Sequence, residues 1–149
     1  ITIEYFLRSS EEQKEVILYL HGLGCCKSDF LNATKTELFR DYTLLAIDFP
    51  GHGGSSYPEK WDMNSLVEIT RLVLEKLDIR TVILIGHSMG GLVALLFANT
   101  YPEKVKALTL KDFEDLMEEA GIYLLDIFGD YKLKKFHKTE SERLIMIFK

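Results

Sequence analysis

Short apolar runs spaced along the chain dominate its hydrophobic pattern and predict β-strands. Ile1–Leu7 alternates apolar and polar residues, as a half-buried strand does. Continuous apolar runs of about five residues are typical of strands buried on both faces of a sheet. Such runs occur at Val16–Leu20, Tyr42–Ile47, Thr81–Ile85 and Val105–Leu110. Because a short polar turn separates the first two segments, we expect them to form an antiparallel hairpin.

Helical signals lie between these runs. Asp29–Arg40 is a predicted helix, and Ser65 and Glu68 have the spacing of a capping box at the start of the next one. That second helix carries a stripe of apolar residues at helical spacing, namely Leu66, Ile69, Val73 and Leu77. A third helix, Met89–Thr100, is expected to stop before Pro102, because the residue before a proline disfavours helical angles.

The alternation of strands and helices predicts an α/β fold with a doubly wound, mostly parallel sheet and helices on both of its faces. One more helix is expected over Asp112–Ala120, with Gly121 as its C-cap. Ile122–Phe128 and Arg143–Phe148 then follow as strands joined by a long polar loop, the last strand being antiparallel. We expect residues 1–149 to form a single domain with an antiparallel strand at its N-terminal edge.

Composition and charge exclude several classes of partner. The chain has 18 Lys and Arg against 23 Asp and Glu, a formal net charge of −5 with no basic face, so nucleic acid is not expected. Nothing approaches the ~20 apolar residues of a membrane span, and there is no charged-then-apolar leader, so no membrane is expected. Cys25 and Cys26 are adjacent in sequence, which favours free thiols and a cytoplasmic location.

The chemistry centres on Gly86-His87-Ser88-Met89-Gly90, placed directly between a predicted buried strand and a helix. A Gly-x-Ser-x-Gly motif in this context forms a strained turn that projects the serine hydroxyl at the carboxyl edge of the sheet. Side chains in place of either glycine would collide with so tight a turn. Ser88 also lies at a helix N-terminus, where the helix dipole favours developing negative charge. The motif therefore predicts a nucleophilic serine.

Two further motifs agree with this strained turn at Ser88, which we call the nucleophile elbow. His21-Gly22-Leu23-Gly24 and Asp48-Phe49-Pro50-Gly51-His52-Gly53-Gly54-Ser55 follow the second and third predicted strands. With these motifs, which span about residues 14–110, the chain resembles the α/β-hydrolase family, its small-ester and C–C-bond hydrolases in particular. We take the hydrolase-like part as residues 1–110. The resemblance implies Ser88 as nucleophile, the backbone N–H groups of Leu23 and Met89 as oxyanion donors, and no cofactor or metal. It also implies structural roles for the histidines at 21, 52 and 87.

The end of the chain departs from that pattern. About residues 112–149 resemble the C-terminal part of class I methyltransferases that use S-adenosylmethionine, although an aromatic residue is usual where Ile122 stands. The likeness rests on Leu116, Ala120-Gly121, Gly129-Asp130-Tyr131 and Ser141-Glu142-Arg143-Leu144-Ile145. The cofactor loop of that family is absent, so methyl transfer is not expected. We interpret the combination as an engineered or recombined chimera joined near Lys111-Asp112, in which the last two strands cover an otherwise unpaired edge.

A base for Ser88 is the missing part of the prediction. His137 is the only histidine after the serine, and Asp112 follows the predicted strand Val105–Leu110, so Ser88, His137 and Asp112 are candidates for an improvised triad, with Asp130 as a second acid. Asp112 is equally well placed as a helix N-cap, and His137 lies among lysines in a loop. Two functions follow: a weak or vestigial serine esterase acting on a small ester, or a scaffold without activity. Either is expected to be a monomer or an edge-paired homodimer.

Overall fold

A computed structural model describes residues 1–10, 15–31, 33–35, 37–106, 124–128, 135 and 145–148. The chain divides into two compact units, Ile1–Ala107 and Leu108–Lys149. The first unit contains the hydrolase-like motifs, and the second contains the segment likened to methyltransferases. The expectation that residues 1–149 form a single domain stays a prediction.

The first unit is built on a four-stranded mixed sheet. Its strands are β1 (Tyr5–Arg8), β2 (Val16–Leu20), β3 (Thr43–Ile47) and β4 (Val82–Gly86), in the spatial order β1-β3-β2-β4. β2 is parallel to β3 on one side and to β4 on the other. The predicted α/β class, with a mostly parallel sheet and an antiparallel strand at the N-terminal edge, is confirmed.

The predicted hairpin between the first two strands is wrong. β1 pairs antiparallel with β3 and not with β2, with Tyr5 opposite Ile47 and Arg8 opposite Leu44. β2 has no edge left for β1, because β3 and β4 occupy both of its sides. This central position accounts for the continuous apolar run of β2, whose residues 17–20 are all buried.

Two α-helices come after strands of this sheet along the chain: α1 (Met63–Lys76) after β3 and α2 (Met89–Thr100) after β4. The bounds of α2 are those predicted. The start of α1 differs, because Asp62 and not Ser65 is the N-cap. The Asp62 carboxylate accepts hydrogen bonds of 2.7 Å from both the N–H and the hydroxyl of Ser65, which makes Ser65 the third helical residue.

The helix predicted over Asp29–Arg40 is replaced by three short 3₁₀ turns, Lys27–Phe30, Ala33–Lys35 and Glu37–Phe39. The Arg8 guanidinium donates to the carbonyl oxygens of Thr34 and Phe39. A continuous α-helix would need the Thr34 carbonyl for an internal bond four residues on. The cation on β1 therefore bonds one carbonyl, that of Thr34, which a continuous helix would use internally, whereas the Phe39 carbonyl would lie in the last helical turn, where it has no internal donor.

The core lies on both faces of the sheet. On one face, β-strand side chains pack against α1 and α2; the fully buried members include Leu18, Leu20, Leu45, Ile47, Leu66, Leu74, Val93 and Phe97. On the opposite face, the Phe30 ring stacks on Tyr19 with centroids 4.7 Å apart, and Phe39 packs on Phe30 at 5.8 Å. The 3₁₀ turns thus cover the face on which a helix was expected.

Val105, the first residue of the predicted strand Val105–Leu110, forms a parallel bridge with Val82 of β4. Residues 107–110 of that predicted strand lie outside the described residues. In the second unit, β5 (Leu124–Phe128) and β6 (Ile145–Phe148) form an antiparallel pair. The predicted helix over 112–120 lies outside the described residues, as does the 129–142 loop apart from residue 135. Of the helices in the described part of the chain, none is long and apolar enough to cross a bilayer.

Candidate active site

Ser88 adopts the strained conformation that the elbow motif predicts. β4 ends at Gly86 and α2 begins at Met89, and Ser88 between them has φ 51° and ψ −115°. Among the described residues, only Ser88 and Asp78 combine a side chain with a positive φ. A side chain held in this region costs on the order of 1–3 kcal/mol, and such strain concentrates at functional sites. The Ser88 side chain is exposed and sits at the N-terminus of α2.

Gly86 and Gly90, the two glycines of the elbow, allow the backbone of α2 to lie in direct contact with the backbone of the sheet. A Cβ added to Gly86 would lie 2.5 Å from the Gly90 carbonyl oxygen. A Cβ added to Gly90 would lie 1.9 Å from the carbonyl oxygen of Leu20, at the end of β2. Any side chain at either position would collide with backbone, which is the reason the motif demands glycine there.

The loop after β2 touches the elbow. Cys25 N–H donates to the Gly22 carbonyl oxygen at 3.1 Å, which closes a turn in which Gly24 has φ +74°. A Cβ added to Gly22 would lie 2.8 Å from His87 Nδ1 and 3.3 Å from Ser88 Cβ. Leu23, at the tip of this turn, is 68% exposed. The structure therefore brings the Leu23 turn and Ser88 together at one edge of the sheet.

His21 is fully buried behind this turn and holds it in place. Its Nε2 accepts a 2.9 Å hydrogen bond from the Phe49 N–H, and its Nδ1 lies 2.7 Å from the Gly22 carbonyl oxygen. An accepting Nε2 puts the proton on Nδ1, so the ring is neutral and donates to Gly22. Burial lowers the pKa of His21 and outweighs the Gly22 carbonyl and the Asp48 carboxylate, which raise it. Both nitrogens are committed to backbone, as expected of a structural histidine.

Asp48 anchors the glycine-rich loop after β3. Its buried carboxylate accepts from Lys27 Nζ at 2.6 Å, from the Lys27 N–H at 2.6 Å and from the Gly54 N–H at 2.9 Å. Burial raises the pKa of Asp48, but the ammonium and N–H of Lys27 and the N–H of Gly54 outweigh it, and the net pKa lies below its usual value. Gly53, at φ +51°, fits against this carboxylate, since an added Cβ would lie 2.0 Å from Oδ2.

The sequence analysis missed Lys27, which is the partner that permits a buried charge at Asp48. No local signal marks this lysine, because its partner lies 21 residues away. The other two histidines differ in setting: His52 Nδ1 lies 2.9 Å from the Pro50 carbonyl oxygen, whereas the His87 side chain is exposed beside Gly22.

The candidates for base and acid, His137 and Asp112, lie outside the described residues, as does Asp130. In the part of the chain that is described, no three His, Cys, Asp or Glu side chains gather as metal ligands would. Cys25 and Cys26 are free, as the sequence predicted, and both side chains are half-buried.

A strained serine between a parallel strand and a helix, beside a glycine turn, is the arrangement of the α/β-hydrolase class of sites. Comparison with known proteins agrees. Residues 15–142 match the alpha/beta hydrolase fold family, and the chain belongs to that family.

Individual relatives extend along most of the chain. A Haemophilus influenzae protein named "Putative esterase/lipase" is 32% identical over 128 residues, covering 86% of this chain and 44% of the relative. "Ethanol acetyltransferase 1" of Eremothecium cymbalariae is 38% identical over 99 residues, 66% of this chain and 28% of that protein. A solved α/β-hydrolase enzyme from a Medee basin deep-sea metagenome library superposes with a TM-score of 0.65 at 27% identity, covering 79% of this chain and 47% of its own.

Two facts follow from these coverages. The chain spans less than half the length of these relatives. The family match also runs to residue 142, across the junction expected near Lys111-Asp112. The hydrolase resemblance therefore extends into the segment likened to methyltransferases, and these comparisons give no support to a methyltransferase segment or to a chimera.

Proposed function

We propose that this chain carries the nucleophile and oxyanion hole of a serine esterase that acts on small carboxylic esters. The observation that supports this most directly is the contact between the Gly22 turn and the strained Ser88 at the start of α2. Relatives named as esterases or lipases favour an ester over other substrates. Since the chain spans under half of those relatives, the activity of the whole protein is part of the proposal.

In the proposed reaction, Ser88 Oγ attacks the ester carbonyl carbon while a base takes its proton. The carbonyl oxygen becomes an oxyanion, which the N–H groups of Leu23 and Met89 stabilise together with the N-terminal dipole of α2. Collapse of this intermediate expels the alcohol, which takes the proton back from the base, and leaves an acyl group on Ser88. Water then hydrolyses the acyl-serine by the same steps. No cofactor or metal is required.

The proposal also names a base and an acid for Ser88. We assign them to His137 and Asp112, because His137 is the only histidine after the serine and Asp112 follows the predicted strand Val105–Leu110. A triad requires placement within about 0.5 Å, held by packed neighbours. An improvised pair predicts slow turnover, so a weak or vestigial activity is expected.

Turnover of p-nitrophenyl acetate tests the proposal. We expect the parent chain to hydrolyse it faster than buffer, and Ser88→Ala to fall to the buffer rate. Ser28→Ala is the matched control, because Ser28 is also exposed and lies in the loop region after β2. Equal rates for the parent and Ser88→Ala would refute the nucleophile. A His137→Ala variant with the parent's rate would refute the assignment of the base alone.

The alternative is a recombined scaffold with no enzymatic activity. The family match, which crosses the expected junction, gives no support to the recombined origin, so the absence of activity is the part left to test. It predicts that parent, Ser88→Ala and buffer give the same rate. The oligomeric state, monomer or edge-paired homodimer, and a cytoplasmic location remain predictions alongside either function.

A further inference from the structure

The tip of the Leu23 turn (Gly22–Cys25) is open to solvent. The Leu23 side chain is largely exposed, and a Cβ added to Gly24 would meet no atom of the described residues within 4 Å. Gly24 also has φ +74°, and its missing side chain leaves the backbone there with more freedom than any other residue would. The position of the Leu23 turn therefore depends on how its two ends are held.

The Gly22 carbonyl sets the direction of the Leu23 N–H, because both groups belong to one planar peptide unit. The Gly22 oxygen accepts the Cys25 N–H at 3.1 Å and lies 2.7 Å from His21 Nδ1. Movement of the chain at Cys25 would therefore release one of the two donors that orient this peptide unit.

Both ends of this segment are bonded to adjacent residues that follow β3. At the start of the segment, His21 Nε2 accepts the Phe49 N–H at 2.9 Å. At its end, Lys27 gives Asp48 two hydrogen bonds: the Lys27 N–H donates to Oδ1 at 2.6 Å, and Nζ donates to Oδ2 at 2.6 Å. The segment from His21 to Lys27 is thus a loop closed at both ends onto Asp48 and Phe49.

The Lys27 ammonium orients the carboxylate that holds the end of this loop. Asp48 Oδ2 accepts both Lys27 Nζ and the Gly54 N–H, which leaves Oδ1 directed at the Lys27 N–H. The Asp48 side chain is fully buried, whereas the Lys27 side chain is 23% exposed. Buried ion pairs are weak evidence for stability, because desolvation offsets their attraction, and one attested use is to fix a single geometry. The position that the pair gives to residue 27 explains it better than stability alone.

We infer that Lys27 is a positioning residue, which acts through the Cys25–Gly22 hydrogen bond to hold the Leu23 N–H as an oxyanion donor beside Ser88. The inference rests on the proposed function for the role of the Leu23 N–H. Anchoring of the turn requires no chemistry at Ser88, so it can be measured separately.

Backbone ¹⁵N order parameters measure the anchoring without turnover. A rigid amide has an order parameter of about 0.85, and a flexible one falls below about 0.6. We expect Leu23 and Cys25 to be near the rigid value in the parent and below about 0.6 in Lys27→Met. The amides of β2 should stay near about 0.85 in both proteins, because the native sheet remains folded. Lys27→Arg, which keeps a cation and its donors on a long side chain, should restore the rigid values.

Lys106→Met is the matched control. Lys106 Nζ also pairs with a carboxylate, that of Glu15, but this pair lies where β2 and β4 begin, at the opposite edge of the sheet from the Leu23 turn. The order parameters of the turn and the turnover of p-nitrophenyl acetate should both equal those of the parent. Lys27→Gln keeps a side-chain N–H donor without the charge, and as a milder second variant it should show the effects of Lys27→Met at smaller size.

Kinetics with p-nitrophenyl acetate supply the second arm. Loss of a whole oxyanion donor lowers kcat by roughly 10²–10³-fold. A displaced donor should cost less, so we expect kcat to fall on the order of tenfold to a hundredfold in Lys27→Met. KM should change by less than about twofold, because the oxyanion is absent from the bound ground state. Lys27→Arg should recover most of the lost kcat.

Three results would overturn the inference: turn amides that stay rigid in Lys27→Met, a kcat that Lys27→Met leaves unchanged, or an equal loss of kcat in Lys106→Met. Absence of turnover in the parent would refute the proposed function instead. In that case the order parameters alone would decide whether Lys27 anchors the turn.

Discussion

Gly90 offers a quantitative test of how closely α2 approaches the sheet. In an open helix, Gly→Ala is stabilising by about 1 kcal/mol, because alanine has the higher helix propensity. At Gly90 the added Cβ would lie 1.9 Å from the Leu20 carbonyl oxygen and 2.4 Å from its carbon. Overpacking of this kind costs typically 1–3 kcal/mol, and here the obstacle is strand backbone, which cannot rotate away. After the gain in helix propensity is subtracted from the cost of overpacking, we expect Gly90→Ala to lower the free energy of unfolding by about 2 kcal/mol.

Gly91 is the matched control, one residue further along the same helix. Its added Cβ would meet the Gly86 carbonyl oxygen at 3.4 Å, an ordinary contact. Gly91→Ala should therefore be neutral or gain up to about 1 kcal/mol. Urea unfolding followed by far-ultraviolet circular dichroism measures both variants, with the slope m unchanged. The reasoning fails if Gly90→Ala is as stable as the parent, or if both variants shift the midpoint by the same amount in the same direction.

Three further predictions concern the supports of the site. Folding lowers the pKa of His21, so as pH falls the imidazole takes up its proton in the unfolded chain before it does so in the folded one. The free energy of unfolding should therefore fall as pH drops below about 6.5. Urea midpoints measured from pH 7.5 to 5 should fall less in His21→Gln than in the parent. Lys27→Met leaves the Asp48 carboxylate buried without its cation and should lower the free energy of unfolding by about 2 kcal/mol. The loss is smaller than for a fully buried ion pair because Lys27 is partly exposed. A change below about 0.5 kcal/mol in urea unfolding would contradict this prediction. Asp62→Ala should lower the thermal midpoint by removing the cap of α1, whereas a midpoint equal to the parent's would show that the cap lies elsewhere.

The central strands and the elbow were predictable because their signals are local. A continuous apolar run of about five residues is typical of a strand buried on both faces, and Val16–Leu20 proved to be the central β2. The Gly-x-Ser-x-Gly spacing encodes a backbone shape, and Ser88 adopts it with φ 51°. The end of α2 before Pro102 follows equally from one residue's covalent geometry.

The errors arose where distant residues decide the local structure. The partner of β1 depends on which strand has a free edge, and this is settled by the pairing of the whole sheet. The segment of 3₁₀ turns after residue 26 is bonded by Arg8 of β1 at the carbonyls of Thr34 and Phe39, a contact that the local sequence does not signal. Lys27 carries no local signal for its partner Asp48. In each case the competing contact lies about twenty or more residues away.

Labelling with a serine-directed fluorophosphonate tests the central claim, that Ser88 is a nucleophile supported by an oxyanion hole. The reagent forms a tetrahedral phosphonyl adduct whose oxygen occupies the oxyanion position, so it requires both features at once. Intact mass and peptide mapping should show one adduct on Ser88 in the parent and in Ser28→Ala, and none in Ser88→Ala. Absence of an adduct, or an adduct that persists in Ser88→Ala, would contradict the claim.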